Sequence, residues 1–132
     1  YRLDNMILKD NQVMGILDWE LSTLGHPIAD FSYHCLSWRT QEAFWDQSKL
    51  KELGIPNERE YMDMYCENTG KDLSKNWEFY MAFNMFKIAG ILQGILGRVR
   101  DGTASSKHAE DRGMMVYPLS EAAWNTIKEN LL

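Results

Sequence analysis

Cysteine is scarce in this sequence, and the spacing of the two cysteines excludes two kinds of site. Cys35 and Cys66 form no C-x-x-C motif and have no histidine at a metal-ligand interval. The sequence therefore predicts neither a zinc site nor a dithiol redox centre. Both thiols are expected to be reduced and buried, which is typical of a cytoplasmic protein.

Positive charge is also in deficit. The chain has 14 lysine and arginine residues against 19 aspartate and glutamate residues, a net charge of −5 and a pI near 5.1. Because nucleic-acid binding depends on clustered basic side chains, no nucleic-acid partner is expected. The 45% hydrophobic and 25% charged content is instead typical of one soluble globular domain with its own core.

A targeting segment and an initiator methionine are not seen either, and without a native N-terminus their absence says nothing about targeting. The most apolar window, 79–97, is long enough to suggest a membrane span. It contains Asn84, Lys87 and Gln93, however, and these polar residues favour the buried core helix of a soluble protein. No membrane partner is expected.

What the sequence does contain is one short β-rich region followed by helical periodicity. Two apolar runs, 6–9 and 13–17, flank the turn-forming "DNQ" and predict a β-hairpin. A lone hairpin is marginally stable, so it is expected to pack against the helices. The helices are predicted at 28–38, 40–53, 57–69, 76–100 and 106–131. The predicted fold class is mainly α with one β-hairpin, an α+β fold.

Local signals predict where several helices begin and end. Asn57 and Glu60 resemble a capping box, with Tyr61, Met64 and Tyr65 as the inner face of the helix that follows. The other expected signals are C-terminal Gly54 and Gly70, a cap at Ser74, and an interruption near Pro118.

Three glycines lie along one side of the long helix at 76–100: Gly90, Gly94 and Gly97. Each costs about 1 kcal/mol relative to alanine in a helix. The expected compensation is close backbone packing of this side against a neighbouring helix.

Two polar residues at the open end of the hairpin form the candidate site. Pairing around Asn11-Gln12 places residues whose numbers sum to 23 opposite each other, so Asn5 faces Asp18. Opposed Cα atoms lie roughly 4.5 to 5.5 Å apart. An amide oxygen and a carboxylate at that separation form an incomplete Mg²⁺ site, which water and phosphate oxygens would complete. The alternative is that both residues serve as turn or cap residues.

Three short motifs together resemble a known family. They are "YRLDN" ending in Asn5, "ILDWE" containing Asp18, and "LGHPIAD" containing Asp30. The combination resembles the aminoglycoside phosphotransferase (phosphotransferase enzyme, choline-kinase-like) family, with its pattern H-G-D-x-x-x-x-N, hairpin, [IL]-D-[WF]-E and G-x-P-x-x-D. The branch with "HGDxRLDN", some members of which are fused to acyl-CoA dehydrogenase domains, is the most similar, and the likeness extends over nearly the whole chain.

The resemblance implies roles for individual residues. Asn5 and Asp18 would bind the Mg²⁺ that bridges the phosphates of ATP. Glu20 would contact a second metal or its waters, or else form a salt bridge. Asp30 would brace the catalytic loop, unless it is simply an acidic residue in the first turn of a helix. Arg2 would contact phosphate or brace the loop through an ion pair.

The resemblance also implies what precedes the chain. The catalytic base, the Asp of His-Gly-Asp, falls one residue before Tyr1, so we expect no catalytic base in the chain and no activity from the chain alone. Residues 1–132 would be part of the C-terminal lobe of a protein-kinase-like fold. Residues 1–20 would hold the end of the catalytic loop, the hairpin and the metal-binding Asp, residues 28–132 would form a helical subdomain, and the N-terminal lobe would be absent.

The function implied is transfer of the γ-phosphoryl group of ATP to the hydroxyl of a small molecule, such as a hydroxyacyl compound. His26 departs from the acidic residue common at its position.

Several aromatic residues either line the substrate cleft or pack in the core: Trp38, Trp45, Trp77, Tyr61 and Tyr65. The exposed apolar face left by the missing lobe would favour self-association. The alternative function is a non-catalytic, kinase-like binding module; a protein kinase is disfavoured because no A-P-E follows Asp18.

Overall fold

A computed structural model describes residues 3–20, 22–40, 47–73 and 75–132. The described part is mostly helical with one two-stranded antiparallel sheet, which confirms the predicted combination of helices and a hairpin. A 3-10 helix, Leu3–Asn5, leads into β1 (Met6–Lys9) and β2 (Gln12–Ile16). The helices are α1 (Pro27–Cys35), continued by a 3-10 turn at Leu36–Trp38, α2 (Gln47–Glu52), α3 (Glu58–Thr69), α4 (Trp77–Arg100), α5 (Ala109–Met114) and α6 (Val116–Asn130).

The core forms around α4, which packs against α1, α5 and α6. Phe31 of α1 lies at its centre, stacked on Tyr65 at 3.9 Å between ring centroids and tilted against Trp77 at 5.8 Å. Leu73, Met81 and Met85 are almost completely buried. The N-terminal half of α4 therefore supplies several of the buried apolar side chains of this core.

Helix α4 is long and apolar enough to cross a membrane. Core helices of soluble proteins often meet the same two criteria. Asn84 of α4 is buried and donates hydrogen bonds of 2.8 Å to the carbonyl of Ala29 and to Ser32 Oγ. These bonds give the buried amide nitrogen two acceptors on α1 and so tie α4 to α1.

The ends of α3 match the sequence prediction. The Asn57 side chain accepts a hydrogen bond from the Glu60 N–H, and the Glu60 carboxylate accepts one from the Asn57 N–H, both at 2.9 Å. Gly70 ends the helix in the left-handed region at φ 68°, and Gly54 adopts φ 71° after α2. The predicted cap Ser74 and the residues 41–46 of the predicted second helix lie outside the described residues.

The predicted inner face of α3 is partly wrong. Tyr61 and Tyr65 pack against the core, but Met64 is 49% exposed and Met62 packs in its place. Phe31 contacts both tyrosine rings, so the buried stripe of α3 follows these two residues and turns Met64 toward solvent.

The interruption of the last helical region occurs at Met115, three residues before the predicted Pro118. A proline ring collides with the carbonyl four residues earlier, which here belongs to Met114, the last residue of α5. Pro118 itself lies in the first turn of α6, where its missing N–H leaves no hydrogen bond unmade.

The prediction of close packing at Gly90, Gly94 and Gly97 is wrong, because a Cβ added at any of them would meet no described atom within 4 Å apart from nearby residues of its own helix. The close approach is at Gly113 of α5 instead. A Cβ there would lie 2.5 Å from Leu96 Cδ2 and 3.3 Å from the Leu96 backbone nitrogen. The small residue that permits the close contact between α4 and α5 is thus on α5.

This difference predicts opposite effects of two glycine-to-alanine substitutions. Gly113→Ala is expected to lower the free energy of unfolding by about 1 to 2 kcal/mol, because Leu96 cannot move without disturbing α4. Gly94→Ala, in open space within a helix, is expected to raise it by about 0.5 to 1 kcal/mol. Urea unfolding of the two variants measures both changes, and equal effects would contradict the assignment of the close contact to Gly113.

The expectation that the hairpin packs against the helices is also wrong for the described residues. Its apolar side chains remain exposed on both faces: Ile7, Leu8, Val13, Met14 and Ile16 are 42 to 61% exposed. Both strands consist largely of apolar residues, so neither face of the hairpin is polar. The hairpin thus presents apolar surface that the described helices do not cover.

Candidate metal site at the open end of the hairpin

The turn that joins the two strands is tighter than predicted. Asp10 and Asn11 occupy its two central positions with φ of 51° and 60°, the left-handed values that a type I′ turn requires and that these residue types tolerate. The turn is therefore centred on Asp10-Asn11, and the predicted register around Asn11-Gln12 is wrong.

A β-bulge then shifts the register back toward the site. Leu8 pairs with Val13, but the preceding residue Ile7 pairs with Gly15, so Met14 is an extra residue in β2. The insertion moves the far end of β2 by one position relative to β1. Without it, Ile16 would lie opposite Asn5, and Asp18 would be one residue further from Asn5.

Asn5 and Asp18 meet at this open end. The last backbone hydrogen bond joins the Leu17 N–H to the Asn5 carbonyl at 2.8 Å. Next to it, the Asn5 side-chain amide donates to Asp18 Oδ2 at 3.0 Å. The structure thus brings together the two residues that the sequence predicted to meet, although Asn5 is opposed to Leu17 and reaches Asp18 diagonally.

The backbone around Asp18 is unusual. Asp18 has φ 66°, a left-handed conformation that is uncommon outside glycine and that clusters at functional sites. The indole N–H of Trp19 donates to the carbonyl of Ile16 at 2.6 Å, and the Ser22 N–H donates to the carbonyl of Trp19 at 2.9 Å. Together these bonds hold the chain in a tight bend that presents the Asp18 carboxylate.

The chemistry of this pair suits a hard divalent cation. Asn5 is half-buried and Asp18 is exposed, so the site is anchored on one side and open on the other. The hydrogen bond uses one Asp18 oxygen and the Asn5 amide nitrogen, which leaves the Asn5 amide oxygen and the second carboxylate oxygen as potential ligands. In the described ranges, no cluster of three or more His, Cys, Asp or Glu residues could hold a metal. Water and phosphate oxygens would have to complete the coordination, as is common for Mg²⁺.

The other predicted site residues are not part of this pair. Glu20 is exposed and makes no hydrogen bond to Asn5 or Asp18. Asp30 lies exposed in the first turn of α1. Arg2 lies outside the described residues. Their proposed roles stay predictions.

His26, whose role the sequence left open, is the N-cap of α1. Its Nδ1 accepts a hydrogen bond from the Ile28 N–H at 3.3 Å, and its ring stacks on Tyr80 of α4 with centroids 5.2 Å apart. A histidine can thus replace an acidic cap, because a neutral imidazole nitrogen is a hydrogen-bond acceptor.

The aromatic residues proposed for either cleft or core pack with the core. Trp77 is buried, and Trp38, Tyr61 and Tyr65 pack against the same cluster; Trp45 lies outside the described residues. His34 contacts Trp38 and Tyr61, and burial lowers its pKa.

The two cysteines are free, as predicted, with Cys35 buried and Cys66 half-buried. Burial, with a smaller contribution from the Glu58 carboxylate, raises the pKa of the Cys35 thiol to about 12. Cys35 is therefore an inert core residue at neutral pH.

One polar cluster was missed by the sequence prediction. Arg39 donates to both oxygens of Glu58, at 2.7 to 3.0 Å, and to both oxygens of Glu78. The indole N–H of Trp77 also donates to Glu58, at 2.9 Å. We call these four residues the Arg39 cluster. They connect Arg39, directly after the 3-10 turn Leu36–Trp38, to the first turns of α3 and α4. The hydrogen bonds to Glu78 and Glu58 raise the pKa of Arg39. No local sequence pattern signals contacts across 19 and 39 positions.

An apolar groove lies between α4 and α6, with a volume of about 470 Å³. Its walls are almost entirely apolar: Phe79, Ala82, Phe83, Phe86, Ser120, Ala123, Trp124, Ile127 and Leu131. Phe86 is 74% and Trp124 is 58% exposed. The groove and the hairpin each expose apolar side chains, and the predicted link of such a surface to a missing lobe stays a prediction.

Comparison with known proteins supports the family that the sequence motifs resemble. The model of the phosphotransferase enzyme family matches residues 1–65, which include Asn5, Asp18 and α1. The family recognised from the sequence motifs is therefore confirmed. No solved structure matches the chain.

The particular relatives are acyl-CoA dehydrogenase family proteins. The chain is similar to acyl-CoA dehydrogenase family member 10 of Mus musculus, with 42% identity over 95% of the chain and 12% of that protein. It is 37% identical to acyl-CoA dehydrogenase family member 11 of Homo sapiens, over 92% of the chain and 16% of that protein. Probable acyl-CoA dehydrogenase IBR3 of Arabidopsis thaliana is 34% identical over the whole chain and 18% of that protein. The chain thus spans less than a fifth of the length of these relatives.

Proposed function

We propose that this chain is part of the C-terminal lobe of a small-molecule kinase that transfers the γ-phosphoryl group of ATP to a substrate hydroxyl. The observation that carries the proposal is the contact between Asn5 and Asp18 within the region that matches the phosphotransferase family. The proposal divides the chain into a site segment, 1–20, and a helical subdomain, 28–132.

The two residues would act by binding and placing a metal ion. Asn5 and Asp18 would hold Mg²⁺ through their side-chain oxygens, with Asp18 contributing the full negative charge. Mg²⁺, when bound, neutralises charge on the phosphates of ATP. The bend at Asp18 and its hydrogen bond from Asn5 would restrict the direction of the carboxylate before ATP arrives, which would preorganise the site.

The base and the nucleotide-binding lobe would come from residues before Tyr1. By the family pattern, the Asp of His-Gly-Asp would lie one residue before Tyr1 and accept the proton of the substrate hydroxyl. We call the protein in which that base and an N-terminal lobe precede this chain the parent phosphotransferase. The exposed apolar hairpin and groove support a covering partner, either that lobe or a second copy of the chain, and sedimentation of the chain over a range of concentrations would detect self-association.

For the substrate, we propose a hydroxylated small molecule, with hydroxyacyl compounds as the first class to examine. The support is that the relatives are named as acyl-CoA dehydrogenases. The reduced thiols and acidic composition agree with a cytoplasmic enzyme that acts on neither nucleic acid nor membranes.

Phosphoryl transfer by the parent phosphotransferase tests the proposal. We expect Mg²⁺-dependent transfer from radiolabelled ATP to at least one member of a panel of hydroxyacyl and other hydroxylated metabolites, giving an acid-stable phosphate ester. The 132-residue chain, assayed in parallel, is expected to be inactive because it lacks the base.

Two outcomes would contradict the proposal. Turnover by the 132-residue chain alone would show that the base lies elsewhere. Absence of transfer by the folded full-length protein, together with a coding sequence that has no His-Gly-Asp before Tyr1, would favour the alternative, a non-catalytic binding module. The coding sequence upstream of Tyr1 distinguishes the kinase from the binding module, because only the kinase requires His-Gly-Asp there.

A further inference from the structure

Among its described residues, the segment after Asp18 first bonds to the helices at His26. Residues 22–25 are exposed, and Leu24 is completely so. Trp19 bonds back to Ile16 within the hairpin end and not to a helix. Among residues 19, 20 and 22–26, His26 is the first whose hydrogen bonds or ring contacts reach the helices.

His26 makes two different contacts with one ring. Its Nδ1 caps α1 by accepting from the Ile28 N–H, and its face stacks on Tyr80 with an interplanar angle of 17°. Its carbonyl also accepts the Ala29 N–H at 3.0 Å. An aspartate or asparagine could supply the cap but not the stack, and a phenylalanine could supply the stack but not the cap.

The elements on which His26 rests are themselves fixed. Tyr80 belongs to α4, the core helix, and packs edge-on against Phe79. The start of α1 is tied to α4 by the buried bonds of Asn84 to Ala29 and Ser32. His26 therefore anchors the chain to a rigid support eight residues after Asp18.

From this arrangement we propose that His26 is a positioning residue for the metal site, an inference that rests on the proposed kinase function. By capping α1 and stacking on α4, it holds the downstream end of the segment that carries Asp18. With that end fixed, the hairpin has fewer orientations relative to the helices, so Asn5 and Asp18 are presented to the metal and phosphates in one arrangement.

Three variants of the parent phosphotransferase separate the two contacts. His26→Asn keeps the cap and loses the stack, His26→Phe keeps the stack and loses the cap, and His26→Ala loses both. His108→Ala is the matched control, because His108 is the N-cap of α5 but makes no side-chain cap hydrogen bond.

The measurements are the Mg²⁺ concentration that gives half-maximal phosphoryl transfer and the hydrogen-exchange rate of the Leu17 amide, whose bond to Asn5 closes the site. His26→Ala is expected to raise both by about fivefold or more, and each single-contact variant by a smaller factor. His108→Ala is expected to change neither, and kcat at saturating Mg²⁺ should change less than the Mg²⁺ requirement in all variants.

The outcomes distinguish this inference from the proposed function. An active wild-type enzyme in which His26→Ala changes neither quantity would overturn the positioning role. An inactive wild-type parent would contradict the kinase function instead, and the exchange rate of the Leu17 amide would still decide whether His26 holds the site. Unchanged Leu17 exchange in His26→Ala would then overturn the inference.

Discussion

Replacement of Asp18 by Asn in the parent phosphotransferase is expected to lower kcat/KM for phosphoryl transfer by about 10³-fold or more. The substitution removes the negative charge of the proposed metal ligand and preserves its size. Asn tolerates the left-handed φ of 66° that Asp18 adopts. The fold should therefore be unchanged, and the loss would report on the charge together with the carboxylate oxygen that the amide lacks.

Asp10→Asn is the matched control. Asp10 lies at the other end of the same hairpin, is exposed, and also has a positive φ, 51°. The two variants thus share the same change of charge in the same kind of backbone. Steady-state kinetics should give Asp10→Asn activity within about twofold of wild type, since exposed charges far from a site are screened by salt. Equal activities for the two variants would remove Asp18 from the metal site.

Replacement of Arg39 by Met is expected to lower the free energy of unfolding by about 2 to 4 kcal/mol. Arg39 is bonded to the carboxylates of both Glu58 and Glu78, and all three side chains are only 21 to 27% exposed. Removing the guanidinium would leave two half-buried carboxylates facing each other without a cation. Urea unfolding of the 132-residue chain measures the loss.

Arg59→Met provides the comparison for an exposed ion pair. Arg59 bonds to Asp63 one helical turn away, with both side chains more than half exposed. Its replacement should cost less than about 0.5 kcal/mol. Glu78→Gln in the Arg39→Met background should recover part of the lost stability, because it removes one of the two unpaired charges. Similar losses for Arg39→Met and Arg59→Met would show that the Arg39 cluster contributes little.

The features that the sequence predicted correctly are encoded by neighbouring residues. The capping box of Asn57 and Glu60 spans four positions, and the left-handed end at Gly70 depends on one residue type. The contact between Asn5 and Asp18 was predicted because antiparallel pairing brings hairpin ends together in any register close to the true one. A short-range physical rule was sufficient in each case.

The features that were missed depend on tertiary structure. The bulge at Met14 arises between two strands with apolar residues on both faces, where the alternation of residue types does not specify the register. The Arg39 cluster and the stacking of His26 on Tyr80 join residues far apart in the sequence. The close contact at Gly113 requires knowing how α5 crosses α4, and a glycine count along α4 alone indicated the wrong helix.

Direct metal binding tests the central claim, that Asn5 and Asp18 form half of a phosphotransferase metal site. Mn²⁺ prefers the same oxygen ligands as Mg²⁺ and can be followed by electron paramagnetic resonance. Titration of the parent phosphotransferase with Mn²⁺ in the presence of a non-hydrolysable ATP analogue should show a bound ion in wild type and in Asp10→Asn. Affinity at least about tenfold lower in Asp18→Asn is the predicted result. Equal Mn²⁺ affinity in wild type and Asp18→Asn would contradict the account.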